Sequence, residues 1–296
     1  MKRYAIYAAG VTWPLVKDIL DICPAYEESI LGGKGQLVAL SDSNPDWHGT
    51  ISCGVEIVAP AQLKSLELDK IIISNIYHAE QIKDYLVNTL KFDEGMLDVT
   101  VTEVAQFPRN RWLSDFASIA QLKGLEGSVA EGGVFKGTFA KYINECFPDR
   151  KIWLFDTFES FNEDEVKYDK EHGFLEKGYS GVFLKNTSIE LVRSVLPHPE
   201  KAVFKKGFFP QSALGDTDLE QEKFVFVNLD FDLYQPMIAG LDFFWSKMVS
   251  GGVILAHDYF SWHCKGASEA VNTWCADNRQ HFIPIGDAVS VAIIKP

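Results

Sequence analysis

The sequence predicts an α/β protein made of two Rossmann-like units, a smaller one over residues 1–98 and a larger one over 99–296 that opens with a linker helix. Short apolar runs alternate with helix-period segments along the whole chain, the pattern of strands crossed over by helices. A glycine-rich turn at Gly132, Gly133 and Gly137 separates one such run, Val129-Ala130, from a helical segment that reaches Cys146. Later apolar runs close at Phe155, Leu229 and Ala256, and each stops on acids: Asp156, then Asp230 and Asp232, then His257-Asp258.

At 296 residues each unit is long enough to bury its own core. The formal charge of −13 opposes a phosphate backbone or an anionic membrane surface, so neither nucleic acid nor a membrane is expected as a partner. Cys23, Cys53, Cys146, Cys264 and Cys275 are scattered without a C-x-x-C pair, which suits reduced thiols. Met1-Lys2-Arg3 leads straight into a short strand, and no later run reaches membrane-spanning length, so a soluble, cytoplasmic protein is expected. The oligomeric state stays open, a homo-oligomer included.

In the smaller unit, Tyr4–Ala9 reads as a strand, Gly10 as its turn, Leu15, Ile19 and Leu20 as a helical stripe, and Gln36–Leu40 as a second strand ending at Ser41-Asp42. Pro60 introduces a short helix, Lys70–Ser74 is a third strand, and Glu80–Leu90 a helix. The order resembles the N-terminal Rossmann-like domains of sugar-modifying enzymes, whose turn reads Gly-x-Gly-x-x-Gly. Here Ala8, Gly10 and Trp13 hold those positions, and Trp13 is bulky where backbone must approach a pyrophosphate. A docking or dimer surface is expected of this unit rather than a dinucleotide site. Pro108 then starts a helix with apolar Trp112, Leu113, Phe116 and Ile119.

The stretch from Val129 to Asp156 reads strand, glycine turn, helix, strand, acid. Such a unit suits an adenosine-containing cofactor, because glycines let the backbone approach it and the acid can bond the ribose hydroxyls. Glu131 at the strand end disfavours a pyrophosphate but balances the ammonium and sulfonium of S-adenosylmethionine. The candidate cofactor residues are Glu131, Gly132, Gly133, Gly137, Thr138, Asp156, Thr157 and Phe158. After them, a charged stretch to Gly181 reads as a mobile lid or an idle insertion. Ser188–Leu196 reads as a helix, Ala202–Lys205 as a strand, and Lys206–Ser212 as a loop at that strand's C-terminal end.

Lys223–Leu229 and Val253–Ala256 read as buried strands, separated by a helix from Pro236 to Met248 that Ser250-Gly251-Gly252 breaks. With no Lys or Arg nearby in sequence, their terminal acids suit a hard divalent cation such as Mg²⁺, with Asp230, His257 and Asp258 as ligands. Asp230, Asp232 and His257 are the catalytic candidates; helix capping is the structural alternative for the two acids. His257 is a softer ligand than carboxylate, so it turns away from the metal, acts as a base, selects another metal, or is a buried structural histidine. His263, Cys264 and Gly266 follow in a loop that could close over the acceptor.

Residues 127–296 resemble the macrocin/mycinamicin O-methyltransferase family, the TylF-like sugar methyltransferases. The likeness lies in Ala130–Gly137, Phe155–Phe161, Lys206–Pro210, Leu229–Pro236 and Gly251–Tyr259, which stand in family order. It implies a class I methyltransferase fold, S-adenosylmethionine as donor, a Mg²⁺ site at the acids, and a sugar or nucleotide-sugar hydroxyl as acceptor. Many relatives carry paired acids where this chain has His257-Asp258. A catechol-type O-methyltransferase and a non-catalytic scaffold are the alternatives.

Overall fold

The computed structural model describes residues 1–10, 13–52, 54–75, 78–101, 107–175, 186–261 and 264–296. Cys53, His263 and the end of the expected lid, 176–181, lie outside them. The chain divides into two compact α/β units, Met1–Phe107 and Pro108–Pro296, a division later than the expected residue 98.

In the first unit β1 (Lys2–Tyr7), β2 (Gly35–Ser41), β3 (Ile51–Ser52), β4 (Val55–Val58), β5 (Lys70–Ile73) and β6 (Leu97–Asp98) form one sheet in the order β3-β4-β2-β1-β5-β6. All pairs are parallel except β3 with β4. The order reverses between β1 and β5, as in doubly wound sheets. Ala8 follows β1 in the left-handed region at φ 73°, and Asp42 Oδ2 reaches back from the end of β2 to accept from Ala9 N at 3.1 Å. Trp13 turns inward: its ring is buried and its Nε1 donates to Ser52 Oγ at 3.3 Å. The helix expected over Glu80–Leu90 runs from Ala79 to Asp84 and widens into a π turn over Tyr85–Thr89.

The second unit carries β7 (Ser128–Gly132), β8 (Ile152–Asp156), β9 (Ala202–Lys206), β10 (Phe224–Leu229), β11 (Met248–Ala256), β12 (Phe282–Pro284) and β13 (Val291–Ile294). Their order is β12-β13-β11-β10-β7-β8-β9; β13 runs antiparallel to its neighbours and the strands from β11 to β9 are parallel. This is the Rossmann-like sheet of the class I methyltransferases. Helices cover both faces, so the central strands are continuous apolar runs; all of Phe224–Leu229 is buried.

Successive residues of β8 feed opposite faces, Trp153 and Phe155 one core, Ile152 and Leu154 the other. In β10 the alternation breaks where the pairing register slips between Phe224 and Phe226, so that Val225 and Phe226 enter the same core. This bulge sets which β10 side chains share a face with those of β7. The helix Phe107–Leu122 lies on the face that Leu154 and Leu255 feed, through Leu113, Phe116 and Ala120.

The helix after β10 spans Tyr234–Trp245, earlier than expected, and Ser250-Gly251-Gly252 lies inside β11 rather than breaking a helix. Gly251 sits at φ 80° within that strand and donates its N–H to Lys295 O, so the glycines shape an irregular strand start.

The stretch expected to be a lid holds a helix, Glu163–Glu171, whose cap Asn162 accepts from Asp164 N at 2.9 Å. Asp169 is fully buried and accepts from Tyr234 N at 3.1 Å, and Phe174 O accepts from Lys265 N at 2.8 Å. Residues 163–175 are therefore docked on two other helices. None of the four described cysteines is in a disulfide. No helix of the described residues is long and apolar enough to cross a membrane.

Candidate functional site

The order of the second sheet reverses between β7 and β10, and there the C-terminal strand ends leave a crevice where open α/β sheets hold ligands. Pairing puts the strand ends in register. Gly132 lies beside both Phe155 and Leu229, and Leu229 beside Ala256. The ladder continues one residue further: Gly133 N donates to Phe155 O at 2.9 Å, Asp230 N to Gly132 O at 2.7 Å, and His257 N to Leu229 O at 2.8 Å. Parallel pairing thus brings Asp156, Gly133, Asp230 and His257 into one row along the sheet edge.

Gly133 stands at φ 81°, and a Cβ there would lie 1.8 Å from Asp230 O. A Cβ on Gly132 would lie 2.2 Å from the Phe231 ring. The close approach that these glycines permit in the structure is to the end of β10. Gly137, at φ 76°, caps the helix Thr138–Cys146, of which Thr138 is the first residue.

Asp156 binds the turn itself. Its Oδ2 accepts from Val134 N at 2.7 Å and Phe135 N at 2.8 Å, and its Oδ1 from Phe158 N at 2.6 Å. A carboxylate offers about four acceptor positions, so about one remains for a ligand hydroxyl. Thr157 Oγ1 donates to Ser160 O at 2.9 Å and closes the next turn, while the Phe158 side chain is buried in the core.

Glu131 is 1% exposed and faces the same way as its β10 neighbour Asn228, which is fully buried. Asn228 Nδ2 donates to Glu131 Oε1 at 2.9 Å; Glu131 Oε2 has no partner. Burial, and then Asp230, raise the Glu131 carboxyl well above the ordinary range against the pull of Arg109. An orphaned carboxylate oxygen there fits the ammonium of S-adenosylmethionine.

Arg109, 9% exposed, descends on this row from the helix Phe107–Leu122. Its Nη2 donates to Asn228 Oδ1 at 2.9 Å and to Asp230 Oδ2 at 3.3 Å, and its guanidinium lies 3.7 Å from the centre of the Phe139 ring. The acids therefore do have a neighbouring cation, contrary to the expectation from sequence. Arg109 is 119 residues from Asn228 along the chain, and no local pattern marks it. A lone Asn in the apolar run Lys223–Leu229 was the one available sign of a polar network.

Asp230, His257 and Asp258 each offer a ligand atom, all within 4.8 Å of one another. His257 Nδ1 lies 2.9 Å from Asp230 Oδ1 and 3.2 Å from Asp258 Oδ2, without the alignment of a directed hydrogen bond. It faces the acids and does not turn away. Burial and Arg109 oppose charge on the imidazole, but Asp230 and Asp258 outweigh them and raise its pKa to about 10. Two carboxylates and one imidazole fit a divalent cation, one that accepts nitrogen better than Mg²⁺ does. Asp232, at φ 62°, is raised well above the ordinary carboxylate range by burial and by Asp258, to which it hydrogen-bonds. Asp258 is also left-handed, at φ 59°.

The family model described as macrocin O-methyltransferase (TylF) matches residues 101–285. Among solved structures the chain resembles the O-methyltransferase NovP, at 17% identity and a TM-score of 0.52, over 74% of this chain and 98% of that one. It also resembles the calicheamicin methyltransferase CalS11, at 17% identity and a TM-score of 0.50, over 74% of this chain and 91% of that one. At that identity both likenesses concern the fold. No curated protein sequence matches the chain.

Proposed function

The chain belongs to the macrocin O-methyltransferase (TylF) family and is an S-adenosylmethionine-dependent O-methyltransferase; on that premise we propose that it methylates a sugar hydroxyl of a glycan or nucleotide-sugar precursor, assisted by a divalent cation. The observation that carries this reading is the row at the sheet edge. It sets Glu131 and the glycine turn directly beside the Asp230, His257 and Asp258 donor set. S-adenosylmethionine supplies the methyl group that an acceptor oxygen takes from sulfur, and a divalent cation would acidify that oxygen's hydroxyl.

The chain's own residues supply charge and placement. Glu131 offers an unpartnered oxygen to the cofactor's ammonium, and Asp156 keeps the turn in shape. Asp230, His257 and Asp258 would hold the cation. Burial and then Asp258, to which it hydrogen-bonds, raise the Asp232 carboxyl well above the ordinary range, while Arg109 donates to and orients Asp230; we assign the acceptor's proton to Asp230. His257 as an imidazolium takes no proton, so its part is to hold the cation when neutral and to balance the acids when charged.

Residues 1–98 we assign to docking or dimerisation rather than to dinucleotide binding. Asp42, the acid after β2, already accepts from Ala9 N and Asn44 N. With a formal charge of −13 the protein is assigned to small-molecule acceptors in the cytoplasm rather than to nucleic acid.

Turnover on a panel of sugars, nucleotide-sugars and catechols, with chelator and with re-added metals, tests the reading. Chelation should abolish methyl transfer, and Asp230→Asn should do the same while leaving S-adenosylhomocysteine binding within about threefold. Full rate in metal-free chelator would make the acids structural, and transfer to catechols alone would overturn the acceptor.

A further inference from the structure

Four aromatic rings gather where the helix Glu163–Glu171 docks on the helix that follows the acid row. Tyr168 of that helix and His172 at its C-cap lie one turn apart on one face, with ring centres 4.0 Å apart and planes 23° apart. Tyr234 stacks on Tyr168 at 5.6 Å and 27°, and Phe174 on Tyr234 at 5.6 Å and 30°. Neighbouring planes are close to parallel, and they form a ledge rather than a core: His172 is exposed and the other three are half-buried. Main-chain contacts fix it. Tyr168 O accepts from His172 Nδ1 at 2.8 Å, and Asp169 accepts from Tyr234 N at 3.1 Å in a gap that a Cβ on Gly266 would fill, 2.2 Å from Asp169 Oδ2. Tyr234 follows Asp232 by two residues, so their Cα atoms lie within roughly 7 Å. It opens its helix, and helical side chains lean toward the N-terminus, here the sheet edge that carries the acids.

We propose, on the sugar-acceptor reading above, that this ledge binds a second sugar ring of the acceptor beside the one that is methylated, so that the substrate is a glycan of two or more residues rather than a nucleotide-sugar. A sugar ring has an apolar C–H face that packs on aromatic planes, and a rim of hydroxyls. Tyr168 and Tyr234 carry phenol hydroxyls for that rim. Because Tyr168 O can only accept, His172 Nδ1 is the donor, and Nε2 of the neutral ring is an acceptor for a sugar hydroxyl. Charge selects against a nucleotide-sugar, which would bring a pyrophosphate to Asp232, to buried Asp169 and to a helix with five acids and two lysines. Docking accounts for Tyr168 on Tyr234. It does not account for His172, an exposed ring that stacks on Tyr168 and tilts on Phe174, both of its own segment.

Steady-state turnover of the full-length protein separates the possibilities, with glucose, galactose and rhamnose each offered as the methyl glycoside, as a disaccharide and as the nucleoside diphosphate sugar. The disaccharide should show a kcat/KM at least about tenfold above that of the methyl glycoside. His172→Ala should raise KM for the disaccharide about fivefold, the loss of one aromatic contact, and leave kcat on it and both constants for the methyl glycoside unchanged. His172→Phe keeps a ring and should hold the disaccharide KM within about twofold of wild type. Tyr168→Leu should lose more than His172→Ala, and the two His172 variants carry the test if it does not fold. Equal losses on both saccharides, or none on the disaccharide, would make the rings packing for the helix and overturn the proposal. A preference for the nucleoside diphosphate sugar that His172→Ala abolishes would put a nucleobase on the ledge and overturn the second sugar. No transfer to any of these compounds would overturn the sugar-acceptor reading itself, and the ledge's part with it.

Discussion

Removing the Asp156 carboxylate should destabilise the second unit before any cofactor is added. The carboxylate accepts three backbone N–H groups, from Val134, Phe135 and Phe158, at 2.6–2.8 Å. Bonds to a charged acceptor contribute about 1.5–3 kcal/mol each, but these share one charge and water can reach the loop, so Asp156→Ala should cost about 3–4 kcal/mol in all. Asp156→Asn turns one acceptor into a donor that faces an N–H, and should cost about half as much. In a unit of this size 1 kcal/mol shifts the midpoint by roughly 2–4 °C, so the alanine variant should melt about 6–16 °C lower in the absence of ligand. S-adenosylhomocysteine affinity should also fall at least tenfold, because the turn loses its order along with the acceptor position left for a ribose hydroxyl. Thermal melting of the ligand-free variants followed by titration is the assay. An unchanged midpoint together with weakened binding would mean that the carboxylate serves the ligand and not the loop.

The docking of the helix Glu163–Glu171 should depend on pH. Burial raises Asp169 to about 6, and burial followed by Asp169 raises Glu165 to about 7. The folded state therefore binds more protons than the unfolded chain between about pH 4 and 7, and stability present at the acid end is lost as pH rises through that window, about 2–3 kcal/mol of it from Asp169. Hydrogen exchange of this helix, corrected for intrinsic rates, should show less protection at pH 8 than at pH 5.5, and Asp169→Asn should remove the step near pH 6; flat protection would refute it. Residues 1–107 should not bind NAD or NADP at micromolar concentration in a fluorescence titration, and micromolar affinity for either would reverse the assignment of that unit.

The parts of the fold that were legible in sequence are those whose chemistry is local. β8 and β10, and the apolar end of β11, are short runs that stop on acids or on His257-Asp258, so the members of the row Asp156, Asp230 and His257-Asp258 could be read from the sequence before any pairing was known. What escaped depended on tertiary partners. Phe282–Pro284 and Val291–Ile294 are too short to announce strands, and they exist because they pair with each other and with β11. Ser250-Gly251-Gly252 reads as a breaker by propensity, yet β11 absorbs it with one left-handed glycine. Glu163–Glu171 is charged enough to read as a loose insertion. Its fixed place comes from tertiary partners: buried Asp169 on the N-terminus of a helix 65 residues further on, Tyr168 stacked on Tyr234 of that helix, and Phe174 O accepting from Lys265 N.

The same distinction separates the turn from the acids in sequence and joins them in the structure. By pattern, the glycines belong to cofactor binding and Asp230 to the acceptor, two sites with separate motifs. Yet Gly133 packs so closely on the carbonyl of Asp230 that no side chain fits between them, and Asp230 N is itself bonded to Gly132 O. Asp156 then ties Val134 and Phe135, the next residues of the turn, to the end of β8. A shift of the turn therefore carries the acid row with it, because main-chain contacts rather than flexible side chains set their separation. On the proposed assignment, with the cofactor at the turn and the acceptor at the acid row, methyl transfer needs donor and acceptor placed to within a fraction of an ångström, and this rigid join would meet that need more directly than either motif alone. Arg109 adds to the join, since its one guanidinium donates both to Asn228, the partner of Glu131, and to Asp230.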